Sequence, residues 1–161
     1  MTEFSYTASV ERWGQFEVRL AGPAEGNPFT DHRISASFTG PEGMVKVCGF
    51  YDGDGRYAVR FMPSYEGEYR FTLQADFLEK ERKGSFTVTS AQGGIHGPVR
   101  TSGCHFVYED GTPYYSVGTT CYVWELQSDE RIEQTLHSLE DAGFNKIRFC
   151  IFPKHYDYNL R

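Results

Sequence analysis

Nowhere does this sequence run to the roughly 20 consecutive apolar residues that a membrane-spanning helix needs. Its N-terminus, Met1-Thr-Glu-Phe-Ser-Tyr6, has neither the basic region nor the apolar core of a secretory signal. The chain is therefore read as cytoplasmic, with no membrane partner. Cysteine is sparse: Cys48, Cys104, Cys121 and Cys150 lie far apart and form no Cys-x-x-Cys pair or Cys/His set with zinc-ligand spacing. Free thiols, no metal and no other cofactor are the expectation. Charge of one sign never accumulates, and the net charge of −6 counts against nucleic acid as a partner. The one dense stretch, Glu79 to Lys83, mixes both signs and reads as a solvated turn.

Aromatic residues and glycines are plentiful. Thirteen Phe, 11 Tyr and 2 Trp supply material for a packed core, while 17 Gly and 7 Pro imply many turns, as in an all-β domain. Apolar residues alternate with polar ones at Phe16, Val18 and Leu20, and again at Ile34, Ala36 and Phe38. The same period recurs at Val45 and Val47, at Tyr57, Val59 and Phe61, at Tyr69, Phe71 and Leu73, and at Phe86 and Val88. A period of two marks strands with one buried and one wet face. Turn signals separate them: Gly22-Pro23, Asn27-Pro28, Gly40 to Gly43, Asp52 to Gly55, Glu66-Gly67 and Lys83-Gly84. Six or seven strands of this kind predict a mainly β fold, an immunoglobulin- or fibronectin-like β-sandwich over residues 1–92.

Residues 93–98 carry no periodicity and read as a linker, leaving 99–161 as a second region. There, His105 to Tyr108 and Pro113 to Val117 flank Glu109-Asp-Gly-Thr112, which predicts a hairpin on an Asp-Gly turn. Ser128 is a helix N-cap, with Asp129 and Glu130 in the first turn where the helix dipole favours acids. Ile132, Leu136, Leu139 and Ala142 share one face, Gly143 supplies a C′ stop and Phe144 closes it. An apolar strand from Lys146 to Phe152 follows, so residues 112–158 read as one strand-helix-strand unit. A parallel pair normally has both faces covered and neighbours at its edges. The surfaces around Val117 and Ile147 to Ile151 are thus expected to be covered by another chain or left poorly ordered. A homo-oligomer or strand-swapped dimer covering residues 100–161 is one way to satisfy them.

Several blocks resemble a known family. Val10-Glu-Arg-Trp-Gly-Gln-Phe-Glu17, Gly22-Pro-Ala-Glu-Gly-Asn-Pro-Phe-Thr30 and Gly49-Phe-Tyr-Asp-Gly-Asp-Gly55 with Val59-Arg-Phe-Met-Pro63 are similar to an N-terminal β-sandwich domain of unknown function. That domain precedes a (β/α)8 barrel in candidate bacterial glycoside hydrolases. His96-Gly-Pro-Val99, Asp110-Gly-Thr-Pro-Tyr114, Gly118-Thr-Thr-Cys-Tyr122 and Phe144-Asn-Lys-Ile-Arg148 through Phe152-Pro-Lys-His-Tyr156 look like the start of that barrel. The resemblance implies a retaining glycosidase, whose two catalytic carboxylates stand about 5 Å apart across the scissile bond. They would follow the fourth and seventh barrel strands, beyond residue 161, in a barrel of about 250 residues. The chain is expected to contain no catalytic residue and to be inactive alone, with carbohydrate the partner of the full-length protein. The alternative is a stand-alone carbohydrate-binding or protein-interaction module.

Active sites of such barrels lie at the carboxyl ends of the strands. Tyr122 and Trp124 are placed to stack on a sugar ring, and Arg148, Lys154 and His155 to hydrogen-bond its hydroxyls; the alternative is ordinary packing for Tyr122 and Trp124 and an ion pair inside the barrel for Arg148. His155 has no nucleophile partner for a triad. Asp52-Gly-Asp-Gly55 is a tight turn rather than a calcium loop, because position 63, where a ligating Glu would stand, is Pro63. Glu11, Glu17, Glu25 and Glu68 suit solvated strand faces. Trp13, Tyr51, Tyr65 and Tyr69 form either a glycan platform or packing.

Overall fold

The alternating runs pair into strands in this computed structural model, which describes residues 4–151. In chain order they are β1 (Phe4–Tyr6), β2 (Ser9–Glu11), β3 (Phe16–Ala21), the one-turn helix α1 (Pro28–Asp31), β4 (Ile34–Gly40), β5 (Gly43–Cys48), β6 (Phe50–Tyr51), β7 (Arg56–Phe61), β8 (Gly67–Ala75) and β9 (Arg82–Thr89). A four-stranded sheet runs β1-β3-β7-β6 and a five-stranded sheet runs β2-β9-β8-β4-β5. All pairings are antiparallel except β2 with β9. The expected six or seven strands become nine in these two sheets because β1, β2 and β6 are too short to show a period.

Register decides which side chains meet. Phe16, Val18 and Leu20 stand opposite Phe61, Val59 and Tyr57 in one sheet. In the other, Phe38 faces Phe71 and Ala36 faces Leu73, while Tyr69 faces Phe86. These residues, with Ile34 and Val88, form one buried cluster between the sheets. Phe16 stacks on Phe86 at 3.7 Å and meets Phe38 edge-on at 5.9 Å, and Phe38 stacks on Phe61 at 4.3 Å. Edge-on contacts of this kind add roughly 0.5–1.5 kcal/mol per pair beyond area burial. Gly84, opposite Phe71 in the register, has no side chain because a Cβ there would lie 2.5 Å from that ring.

Alternation misleads at β5. It is the outer strand of its sheet, and Met44 and Val45 are 72% and 39% exposed; Val47 is partly buried and packs against the core.

The chain divides into two compact units, Met1–Thr112 and Pro113–Arg161. The first ends in a hairpin of β10 (Val99–Ser102) and β11 (His105–Tyr108), turning through Gly103 and Cys104. Gly103, at φ +60°, permits that turn. The hairpin therefore lies one strand earlier than the Asp-Gly signal suggests, and no extended strand forms over residues 114–117. Asp110 and Gly111 still form a turn: Gly111 N–H donates to Tyr108 O at 2.9 Å, and Thr112 N–H to Asp110 Oδ1 at 2.9 Å. His96 Nδ1 lies 2.7 Å from Asp110 Oδ2. The hydrogen bond with His96, then the Thr112 N–H, brings the Asp110 pKa down to about 2.

The second unit is a strand-helix-strand. β12 (Gly118–Thr120) and β13 (Lys146–Arg148) pair in parallel, joined through a 3-10 turn at Trp124–Leu126 and the helix α2 (Asp129–Glu140). Ser128 caps α2, accepting from Arg131 N–H at 3.4 Å. The helix ends one residue earlier than the glycine stop implies: Asp141 is the C-cap, and Gly143 follows at φ +64°. β13 covers only the first three residues of the expected strand, of which Phe152 lies outside the described residues. Asn145 clasps the approach to β12: its Oδ1 accepts from Val117 N–H at 3.0 Å, and its Nδ2 donates to Tyr115 O at 2.7 Å. Among the described residues no helix is long and apolar enough to cross a membrane.

Phe16→Ala is expected to cost about 3–5 kcal/mol in urea unfolding, as for a fully buried aromatic, whereas Met44→Ala should stay within about 0.5 kcal/mol. Equal losses would contradict the assignment of the core. Because the folded Asp110 binds its proton more weakly than the unfolded one, its stabilising contribution is complete above about pH 4 and disappears as pH falls through about 2. A carboxyl NMR titration should give a midpoint near 2 for Asp110, moving toward the ordinary 3.8 in His96→Ala; a wild-type midpoint near 4 would refute the pairing.

Candidate functional site

Parallel pairing sends the two chain segments out of β12 and β13 at the same end. Thr120 stands opposite Arg148 at the last register position. Two further bonds continue the pairing: Cys121 N–H donates to Arg148 O at 3.0 Å, and Cys150 N–H donates to Tyr122 O at 2.9 Å. Tyr122, Trp124 and Arg148 are thus grouped at the carboxyl ends of the strands. Tyr122 is 40% exposed, the Arg148 side chain is exposed, and the Trp124 ring meets Phe149 edge-on at 6.0 Å. Lys154 and His155 lie outside the described residues.

One residue of this loop went unread in the sequence. Both carboxylate oxygens of Glu125 are buried without a hydrogen-bond partner, and so is the indole nitrogen of the adjacent Trp124. Leaving buried polar atoms without partners is costly; the Trp13 indole nitrogen on the sandwich is orphaned in the same way, and Trp124 and Glu125 are distinguished by being adjacent. The available signal was an acid inside the otherwise apolar run Val123 to Leu126.

Of the other carboxylates named from the sequence, Glu25 is exposed, and the rest are engaged in the sandwich. Glu17 bridges Arg19 at 2.5 Å and Arg60 at 2.6 Å; burial pushes its pKa up, but the two guanidiniums outweigh that and hold it below the ordinary value. Glu68 accepts from the Thr87 hydroxyl at 2.6 Å, and Glu11 from Gln92 N–H at 2.9 Å. Asp52 to Gly55 is the β6–β7 turn, closed by Asp52 N–H to Arg56 O at 2.7 Å, with the Asp54 carboxylate on Arg56 at 3.0 Å.

Trp13, Tyr51, Tyr65 and Tyr69 do not form a common platform. Tyr69 is a core residue whose hydroxyl donates to Glu42 at 2.5 Å. Trp13, in the left-handed region at φ +63°, lies under the Arg12 guanidinium at 4.0 Å, and a Cβ on Gly97 would come within 2.8 Å of its ring. Tyr51 is half-buried and accepts from Gly55 N–H at 2.9 Å. Only Tyr65 is exposed, at 53%. All four cysteines are unpaired.

Residues 9–76 match a domain of unknown function, DUF5060. No functionally curated protein matches the chain. A crystal structure of a candidate glycoside hydrolase from Bacteroides vulgatus is 44% identical and superposes with a TM-score of 0.84 over 93% of this chain, which spans 30% of that one. The Lin-41 filamin domain (17% identity, 56% of this chain and 93% of that one, TM-score 0.43) overlays too loosely to carry an argument. The same holds for a candidate β-galactosidase from Bacteroides fragilis (16% identity, 98% and 25%, TM-score 0.33). The chain therefore carries a DUF5060 domain and is related along most of its length to part of a glycoside-hydrolase-like protein.

Proposed function

We propose that this chain is the N-terminal accessory sandwich, of immunoglobulin type, and the barrel start of a glycoside hydrolase acting on O-glycosidic bonds. In this reading β12 and β13 are the first two strands of a (β/α)8 barrel. The acid/base and the nucleophile come from later strands, beyond residue 161, so the chain does not turn over glycosides by itself. Tyr122 and Trp124 offer ring faces to the substrate, while Arg148, Lys154 and His155 offer hydrogen-bond donors. Glu125 joins them as an acceptor for sugar hydroxyls, with the Trp124 indole N–H beside it.

The observation that carries this reading is the pair of orphaned polar groups at Trp124 and Glu125, at the strand end where barrel enzymes keep their sites. The relation to the Bacteroides vulgatus protein supports the reaction class. The exposed apolar side chains of Val117, Phe149 and Ile151 support a fold completed by further chain, and a second copy is the competing cover.

The test is a panel of nitrophenyl glycosides given to the purified chain, alone and with a polypeptide carrying the remainder of the Bacteroides vulgatus relative. The chain alone should be inactive. Complementation should yield an active complex in which Glu125→Gln and Trp124→Ala each lower kcat/KM about 10- to 100-fold without weakening association, the loss expected for one charge-assisted hydrogen bond or one stacking contact. Turnover by the chain alone at an ordinary rate, or an active complex indifferent to both substitutions, would contradict the proposal.

A further inference from the structure

A second site stands on the sandwich and owes nothing to the barrel reading. Where α1 meets the ends of β4, β5 and β8, the surface opens into a groove of about 800 Å³, within the usual range for ligand sites. It is a trough rather than an enclosed chamber, a shape that suits a length of polymer better than a compact metabolite.

Phe29 stands at its lip. Pro28, at the start of α1, fixes the backbone there, and Phe29 is 73% exposed. Its ring meets Tyr51 in edge-to-face geometry at 5.1 Å and 86°, so it is held in place without being covered. Register lays the floor: Ser35 pairs with Cys48 on one side and with Gln74 on the other, which aligns two small side chains and an amide across three strands. Small residues there leave room for a flat ring.

The polar wall is preorganised. Asp76 accepts from Arg33 N–H at 2.9 Å through one oxygen and meets His32 Nδ1 at 3.2 Å through the other. His32 is also packed edge-on against Phe77 at 5.5 Å. With Nδ1 engaged, its Nε2 is the nitrogen left for a ligand. Gln74 spends its Nε2 on Glu81 at 3.3 Å and keeps its carbonyl oxygen. Lys46 lines the same groove and makes no ion pair among the described residues.

This composition discriminates among ligand classes. Arg33 and Lys46 bring positive charge to the groove, but the Asp76 carboxylate stands in the same wall beside His32 and opposes a phosphate there. A peptide-binding groove would need a continuous apolar lining, and here the large apolar residues are Phe29, which is exposed, and Ile34, which is turned into the core at 5% exposure. An aromatic face beside mixed, fixed donors and acceptors is what a pyranose presents its C–H face and hydroxyls to. We infer that this groove binds an oligosaccharide, with Phe29 as the stacking platform and His32, Gln74 and Lys46 as the groups that read its hydroxyls.

The experiment is a glycan array of plant and microbial oligosaccharides probed with the 161-residue chain, followed by titration of the best binder in calorimetry. Cys48, exposed on the groove floor, supplies an independent readout through its alkylation rate with iodoacetamide. The expected result is saturable binding that slows Cys48 alkylation several-fold. Phe29→Ala and Gln74→Ala should each weaken the Kd at least about tenfold, the loss of one good contact. Tyr65→Ala, another exposed aromatic, should leave the Kd unchanged. Because Phe29 is exposed, its replacement leaves the fold intact. Absence of binding across the array overturns the inference. So does binding that ignores Phe29→Ala, or that leaves Cys48 as reactive as before.

Discussion

The contact on which the first unit depends is the run of stacked and crossed rings between its two sheets. Phe16 lies flat against Phe86 and edge-on to Phe38, and Phe38 in turn lies flat on Phe61. Two of these rings come from the four-stranded sheet and two from the five-stranded one, so the rings clamp sheet to sheet rather than strand to strand. Dispersion and burial at this density tolerate little displacement. The register of every strand that contributes a ring is therefore fixed, because a slip of one residue would turn its apolar set outward. The turns, the helix α1 and the groove beside it hang on that frame.

The second unit obeys a different constraint. A parallel pair needs covering on both faces, and here Leu136 of α2 is 43% exposed and Phe144, beyond the end of that helix, is 41% exposed. Local chemistry defines the unit well: Ser128 caps the helix, and Asn145 ties down the segment before β12 with two side-chain bonds. Well-formed local structure, uncovered apolar surface and orphaned polar atoms at Trp124 and Glu125 coexist in one short stretch. These features are the ones on which the proposal of a larger packing rests.

Periodicity made the sandwich legible. Fourteen of the buried side chains in the core cluster sit in strands whose apolar residues recur at every second position, so the inward faces of β3, β4, β7, β8 and β9 could be listed from the sequence. The helix was equally plain, since its cap, its first-turn acids and its apolar face agree. What failed to show lacks a local signature. Gly103-Cys104 turns a hairpin with no strong dipeptide signal, whereas Asp110-Gly111 forms a turn that joins no second strand. β5 alternates like its neighbours, but it lies at the sheet edge, and only position in the sheet reveals that Val45 is exposed. The groove draws on residues near 30, 47 and 75 that only sheet register brings together. Glu125 has no sequence pattern beyond the apolar residues around it, and only the burial of its oxygens sets it apart.

The central claim is that the sandwich is held by its own ring-packed core, while the strand-helix-strand unit, in the function proposed above, is completed by cover from elsewhere. Native-state amide hydrogen exchange on the chain tests it most directly, because protection reports local opening free energy. The account predicts that amides of Val18, Phe38, Val59 and Phe71 exchange only by global unfolding. Those of Thr119, Thr120 and Ile147 should exchange orders of magnitude faster. Equal, global-level protection in both sets, in a chain shown to be monomeric, would contradict it.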